Sequence, residues 1–211
     1  MLRLALVFTF CLSLQLCHSQ VGLGITSTFD LYNLYSNPES SQPPQVSFSR
    51  KNGAALSSLG LGPKFWVGTE NFSFSVEALA NLSPLGLSIG DFKGIGAVSF
   101  PIMGNFNFGG LSSFNKVIKV GYSIGGGIQY NRTELFGLTN SFENQGVSRN
   151  YFRTYNIQLA VGGGLNGFTG RFYTRYGFNP SLDGAWNVNI GIQMSLNFSM
   201  TKTIHKPESA L

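Results

Sequence analysis

The chain has 211 residues, 14 Lys and Arg against 9 Asp and Glu for a net charge of +5, and 43% apolar residues, which excludes disorder throughout. Only 11% of residues are charged, against about 25% in an ordinary soluble domain, while 27 glycines, 19 phenylalanines and 8 tyrosines crowd the chain. That balance is foreign to a water-facing enzyme, and with no basic run longer than Arg50-Lys51 there is no clustered patch for nucleic acid.

Residues 1–19 read as an export signal. Arg3 supplies the positive start, residues 4–16 are an apolar run of 13 residues, and Cys17 and Ser19 stand at positions −3 and −1 before Gln20. The run is too short to cross a bilayer as a helix. Leu16 stands where a lipoprotein signal needs a small residue before Cys17, which argues against a lipid anchor. Cys11 and Cys17 are the only cysteines, so a chain beginning at Gln20 is expected to fold without disulfides. Three parts are expected: a signal peptide at 1–19, one folded domain at 20–200 and a polar tail at 201–211.

From Gln20 onward the apolar residues recur with period two, the spacing of a strand and not of a helix. Residues 21–34 set Val21, Leu23, Ile25, Phe29 and Leu31 against Gly22, Gly24, Thr26, Thr28 and Asp30. Residues 54–68 set Leu59, Leu61, Phe65 and Val67 against Ser58, Gly60, Gly62 and Lys64. Residues 71–84 set Phe72, Phe74, Val76, Ala78, Ala80 and Leu82 against Asn71, Ser73, Ser75 and Glu77. Residues 94–108 follow with Val98, Phe100, Ile102, Phe106 and Phe108 on one face; Pro101 lies on the other and demands a bulge or an unpaired position there. Residues 116–131, 151–165 and 168–179 continue the pattern. Residues 186–200 are the clearest, with every even position apolar from Trp186 to Met200 and no odd one. Eight such long segments predict an all-β, eight-stranded antiparallel up-and-down barrel.

The polar face is Gly, Ser, Asn, Gln and Thr with few charges, which suits a narrow lumen better than a water-facing wall. Apolar residues pointing out and polar residues pointing in is the sense of a transmembrane barrel, whose closed sheet leaves no unpaired edge in hydrocarbon. Aromatics agree with two interfacial girdles: Phe65, Phe72, Phe108, Phe168 and Phe198 at one end, Tyr130, Tyr151, Phe178 and Trp186 at the other. Long and short connections alternate, with long loops near 36–52 and 132–150 and a two-residue Asn166-Gly167 hairpin turn. The expected location is a bacterial outer membrane, with the long loops outside.

The stretch from Phe100 to Phe108, the triplets Gly125-Gly126-Gly127 and Gly162-Gly163-Gly164, and Arg175-Tyr176-Gly177 resemble the PorT-like small outer-membrane β-barrel proteins of Bacteroidota. Those motifs match an apolar-Pro strand ending in alternating aromatics, Gly-rich mid-barrel strands and an Arg-Tyr pair late in the seventh strand. The resemblance spans about residues 21–200 and implies a cell-envelope location without one particular activity; this chain continues past Phe198, where such barrels usually end.

Beyond the signal the only histidine is His205, in the tail, so an imidazole-dependent hydrolase is not expected. No catalytic residue, cofactor or metal site is expected either. The inward face carries Asp30, Lys64, Glu77, Lys119, Arg171 and Arg175, which are expected to form a lumen charge network. Glu77 in particular needs Arg171, Arg175 or Lys119, because a mid-strand carboxylate facing inward does not stay ionised alone. Eight strands leave an interior that side chains fill, which disfavours a porin.

Binding is then expected on the loops, with Phe48, Arg50, Phe136, Phe142 and Arg149 as candidate contacts. The expected partners are outer-membrane lipid and envelope or surface proteins. Three functions stand open: a non-catalytic membrane barrel that supports the envelope or binds through its loops, an accessory part of a secretion or gliding apparatus suggested by the resemblance, and a soluble exported barrel carrying a small apolar ligand.

Overall fold

A computed structural model describes residues 19–38, 52–87, 95–114, 118–136, 150–182 and 184–200. The signal segment up to residue 18, the loop residues Phe48, Arg50, Phe142 and Arg149, and the tail 201–211 lie outside the described residues.

Ten strands form: β1 Gln20–Ser36, β2 Asn52–Gly68, β3 Phe72–Ala78, β4 Ala80–Ser83, β5 Leu85–Leu87, β6 Ile95–Gly109, β7 Lys119–Phe136, β8 Phe152–Leu165, β9 Phe168–Phe178 and β10 Trp186–Ser199. β3, β4 and β5 run end to end along β2 and make one interrupted stave, so the wall has eight staves. Neighbours pair antiparallel from β6 through β10. β1 then pairs with both β10 and β2, and the sheet closes into a barrel.

The side-chain period explains which face is which. Val120 is 78% exposed and Ile124 48% exposed on the outside, while Gln158 and Gln193 are 1% exposed within. Ile190 and Leu196 also face out, Ile192 is half-buried on the same outer face, and Asn189 and Asn197 are buried. The outer wall is therefore aliphatic and aromatic and the interior is polar, the inverse of a water-soluble barrel. Phe65, Phe168 and Phe198 at the short-turn end, and Tyr130, Tyr151 and Phe178 at the other, are exposed on it.

Three local departures from plain alternation shape the wall. First, Pro101 has no N–H, so its partner Leu79 drops out of the ladder between β3 and β4 while still donating to the Pro101 carbonyl at 2.9 Å. The register is 78 to 102 before this break and 81 to 99 after it, so no residue is inserted. The unpaired position that Pro101 demands thus falls in the neighbouring stave. Second, Leu31 is an extra residue in β1 relative to β10. It faces Ser57 of β2, which has φ of 58°, and both strands turn over there. Inward positions are even up to Asp30 and Ser58, and odd beyond, so that Asn33, Tyr35 and Ala55 point in. Third, β7 runs to Phe136, five residues past the expected end at 131, which makes Phe136 a strand residue and shortens the loop that follows.

The hairpin between β8 and β9 has Asn166 at φ 49° and Gly167 at φ 87°, the left-handed pair that a tight two-residue hairpin needs. Gly162 meets a different demand. It sits opposite Arg171, and a Cβ there would strike the Gly170 carbonyl and the Arg171 Cα, so the glycine lets the Arg171 stave approach.

Candidate functional site

The interior is filled by side chains in stacked layers, and the charged ones lie at its middle. Lys64 of β2 stands directly opposite Glu77 of β3. Their alternation turns both inward, where each is at most 2% exposed, with Lys64 Nζ 3.7 Å from Glu77 Oε1. Across the lumen, Arg171 Nη2 of β9 donates to Glu77 Oε2 at 2.8 Å and Oε1 at 3.1 Å. Gln193 of β10 donates to Oε2 at 2.6 Å. The second guanidinium arm, Nη1, donates to Asn107 Oδ1 at 3.1 Å and Ser123 Oγ at 3.3 Å. One carboxylate thus ties four staves together, and its charge meets two cations as burial requires.

The next layer holds Arg175. Its Nε and Nη2 donate to Gln158 Oε1 at 3.0 and 2.8 Å, and Nη1 donates to Gln129 Oε1 at 3.1 Å. Its guanidinium carbon lies 5.1 Å from the centre of the Tyr173 ring. Because Arg175 only donates, it fixes the oxygens of both glutamines toward itself. Gln129 Oε1 then also takes a bond from Asn156 Nδ2 at 2.9 Å, and Gln129 Nε2 donates to Asn131 Oδ1 at 2.6 Å. Asp30 of β1 completes the layer. The Tyr173 hydroxyl donates to its Oδ1.

Toward the long-loop end a cavity of about 30 Å³ remains, lined by Asn33, Tyr35, Gln129, Asn131, Asn187 and Asn189 among others. That is room for an ordered water among amides, not for a solute stream.

The short-turn end is closed by the chain itself. The turn after β6 folds inward, with Leu111, Ser112 and Ser113 buried. Ser113 N donates to Ser73 Oγ at 3.0 Å, and Ser112 Oγ donates to the Thr69 carbonyl. Trp66 of β2, 1% exposed, stacks on Phe114 with ring centres 6.2 Å apart and planes at 11°. Its indole N–H donates to the Leu23 carbonyl at 3.3 Å. Trp66 and the turn make a floor beneath the charged layers.

Of the six residues expected in a lumen charge network, the structure gathers five. Asp30, Lys64, Glu77, Arg171 and Arg175 are all buried inside. Lys119 is the exception: it stands at the first position of β7, exposed at the short-turn rim, and donates to Asn71 Oδ1 at 2.6 Å. Its parity is inward, but it lies at the rim, beyond the depth at which the wall encloses a side chain. Of the five expected loop contacts, only Phe136 is described, as the last residue of β7.

Sequence reasoning missed Tyr173 and Trp66 as members of the interior, while the polar face it turned inward already held Gln129, Gln158 and Gln193, all buried here. The signal existed: Tyr173 shares parity with Arg171 and Arg175, and Trp66 shares it with Lys64.

No family model matches the chain, and no curated protein matches it. Among solved structures the chain is similar to Neisserial surface protein A, at 10% identity over 83% of this chain and 97% of that one, with a TM-score of 0.44. It is also similar to the outer membrane protein OprG from Pseudomonas aeruginosa, at 15% identity over 85% of this chain and 96% of that one, with a TM-score of 0.42.

Proposed function

We propose that the chain is an exported, non-catalytic barrel of a bacterial outer membrane that supports the envelope or binds surface partners through its long loops. The observation that carries this is the inverted wall: exposed Leu, Ile, Val and Phe from end to end outside, and hydrogen-bonded amides and ion pairs within. A lumen crossed by the Glu77–Arg171–Lys64 cluster and floored by Trp66 favours a structural or binding role over solute passage. The soluble-carrier alternative needs an apolar interior, and the interior here is polar. A role as accessory to a secretion or gliding apparatus, and membership of the PorT-like proteins, rest on the sequence resemblance. The signal peptide at 1–19 supplies the export route in this reading.

Membrane fractionation with and without boiling of the sample tests it. The protein is expected in the detergent-extracted outer-membrane fraction, with faster gel mobility unheated than boiled. Recovery in the soluble fraction, without detergent, would overturn the reading. For the loops, a deletion confined to residues 138–147 spares β7, which ends at Phe136, and is expected to keep the heat-modifiable barrel while removing partner capture.

A further inference from the structure

The outer wall is largely apolar, and two cations stand on it near the long-loop end. On β7 and β8, Arg132 and Arg153 point outward and are exposed. Two other exposed charged residues, Lys119 and Glu70, lie at the opposite end. Pairing sets Tyr130 opposite Arg153, and just beyond the Asn131–Phe152 pair the Arg132 guanidinium lies over the Tyr151 ring. The result is a cluster of two arginines and two tyrosines on adjacent strands, with the arginines as diagonal neighbours.

Each guanidinium lies against an aromatic ring. Arg132 Cζ is 5.5 Å from the centre of Tyr151. Arg153 Cζ is 5.0 Å from the centre of Tyr155, and its Nη2 donates to the Tyr155 hydroxyl at 2.7 Å. Phe100 packs against Tyr151 at 6.4 Å. The rings support both guanidinium groups, which stay exposed, with one Arg153 nitrogen engaged by the Tyr155 hydroxyl. Below them the same wall is apolar, with Ile157 and Leu159 exposed on β8.

Two exposed cations above an acyl-compatible surface are complementary to a lipid with a phosphate in its headgroup. We propose that Arg132 and Arg153, set by Tyr130, Tyr151 and Tyr155, form a binding site for the phosphate of a phosphorylated lipid in the leaflet at the long-loop end. This rests on the membrane-barrel reading above. The chemistry is that of an arginine pair on a phosphate dianion or monoester, held through parallel N–H bonds while the acyl chains lie on Ile157 and its neighbours.

The test uses the full chain, purified in detergent and placed in phosphatidylcholine vesicles with a small fraction of lipid A, or of lipid A stripped of its phosphates. Bound lipid is counted per barrel after re-extraction. The intact protein is expected to retain lipid A and not the stripped form. R132Q combined with R153Q is expected to weaken retention at least about ten-fold. K119Q removes one charge at the opposite rim and is expected to change nothing.

Equal retention by the double variant, or an equal loss in K119Q, would overturn the site. Displacement by inorganic phosphate alone, at concentrations matching the lipid, would overturn the choice of a lipid ligand. Heat-modifiable mobility is read on every sample. If it is missing from the intact protein, the membrane-barrel reading fails; if it is present and the variants bind alike, only the site fails.

Discussion

Glu77 is the residue on which the interior turns. It accepts from Arg171 and Gln193 and faces Lys64, so removing its charge leaves two buried cations uncompensated. Glu77→Gln is expected to cost about 3–5 kcal/mol in denaturant unfolding from detergent micelles. Replacing Lys64, Glu77 and Arg171 together by apolar residues of similar size is expected to recover most of that loss, because no lone charge is left behind. An unchanged unfolding midpoint in Glu77→Gln would show that the cluster is slack. The need for a partner at Glu77 was legible in the sequence, since alternation gives its face and desolvation gives its need. Lys119 was misplaced because alternation tells inside from outside but not depth. Trp66 and Tyr173 went unseen because an aromatic in such a chain is first read as facing lipid, although each sits in step with inward cations.

Strands carry a second kind of information. Ser57 holds a left-handed backbone at φ 58° where β1 and β2 turn over together. A non-glycine residue there costs about 1–2 kcal/mol, so Ser57→Gly is expected to raise stability by up to about 1 kcal/mol and Ser57→Val to lower it by more. Equal midpoints for Gly, Ser and Val would mean the turn-over is not fixed at that residue. On the lipid wall, Ile190→Arg is expected to cost about 2–4 kcal/mol near the mid-plane, read from the loss of heat-modifiable band against denaturant. Eight staves were readable because each keeps one parity over many residues. The turn-over at Leu31 and Ser57 was not, because neither residue is a glycine or proline that would mark a bulge. Pro101 did announce an unpaired position, and geometry moved it across the ladder to Leu79, a residue whose own chemistry gives no warning.

At the scale of the whole molecule, the cross-section is closed twice: once by the Glu77 layer and once by the floor of Trp66, Phe114 and the buried turn. In planar bilayers the intact protein is therefore expected to show no steady conductance. Trp66→Ala with Phe114→Ala is expected to remain silent, since the charged layer still spans the bore. Adding Glu77→Ala and Arg171→Ala is expected to bring the first discrete current steps. Steady currents from the intact protein would mean that water threads the amide layers, and would make the protein a channel.

The inward turn after β6 also bears on the order in which the molecule is built. It comes from the middle of the chain, while the wall is closed by its first and last strands, β1 and β10. Once those two have met along their length, side chains fill the bore above the turn and the staves surround it. Leu111, Ser112 and Ser113 are therefore expected to seat while the sheet is still open, against Ser73 of β3 and Thr69 of the turn before it. Zipping of the terminal strands is then expected to be the committing event, with a chain that zips before the turn is seated refolding more slowly.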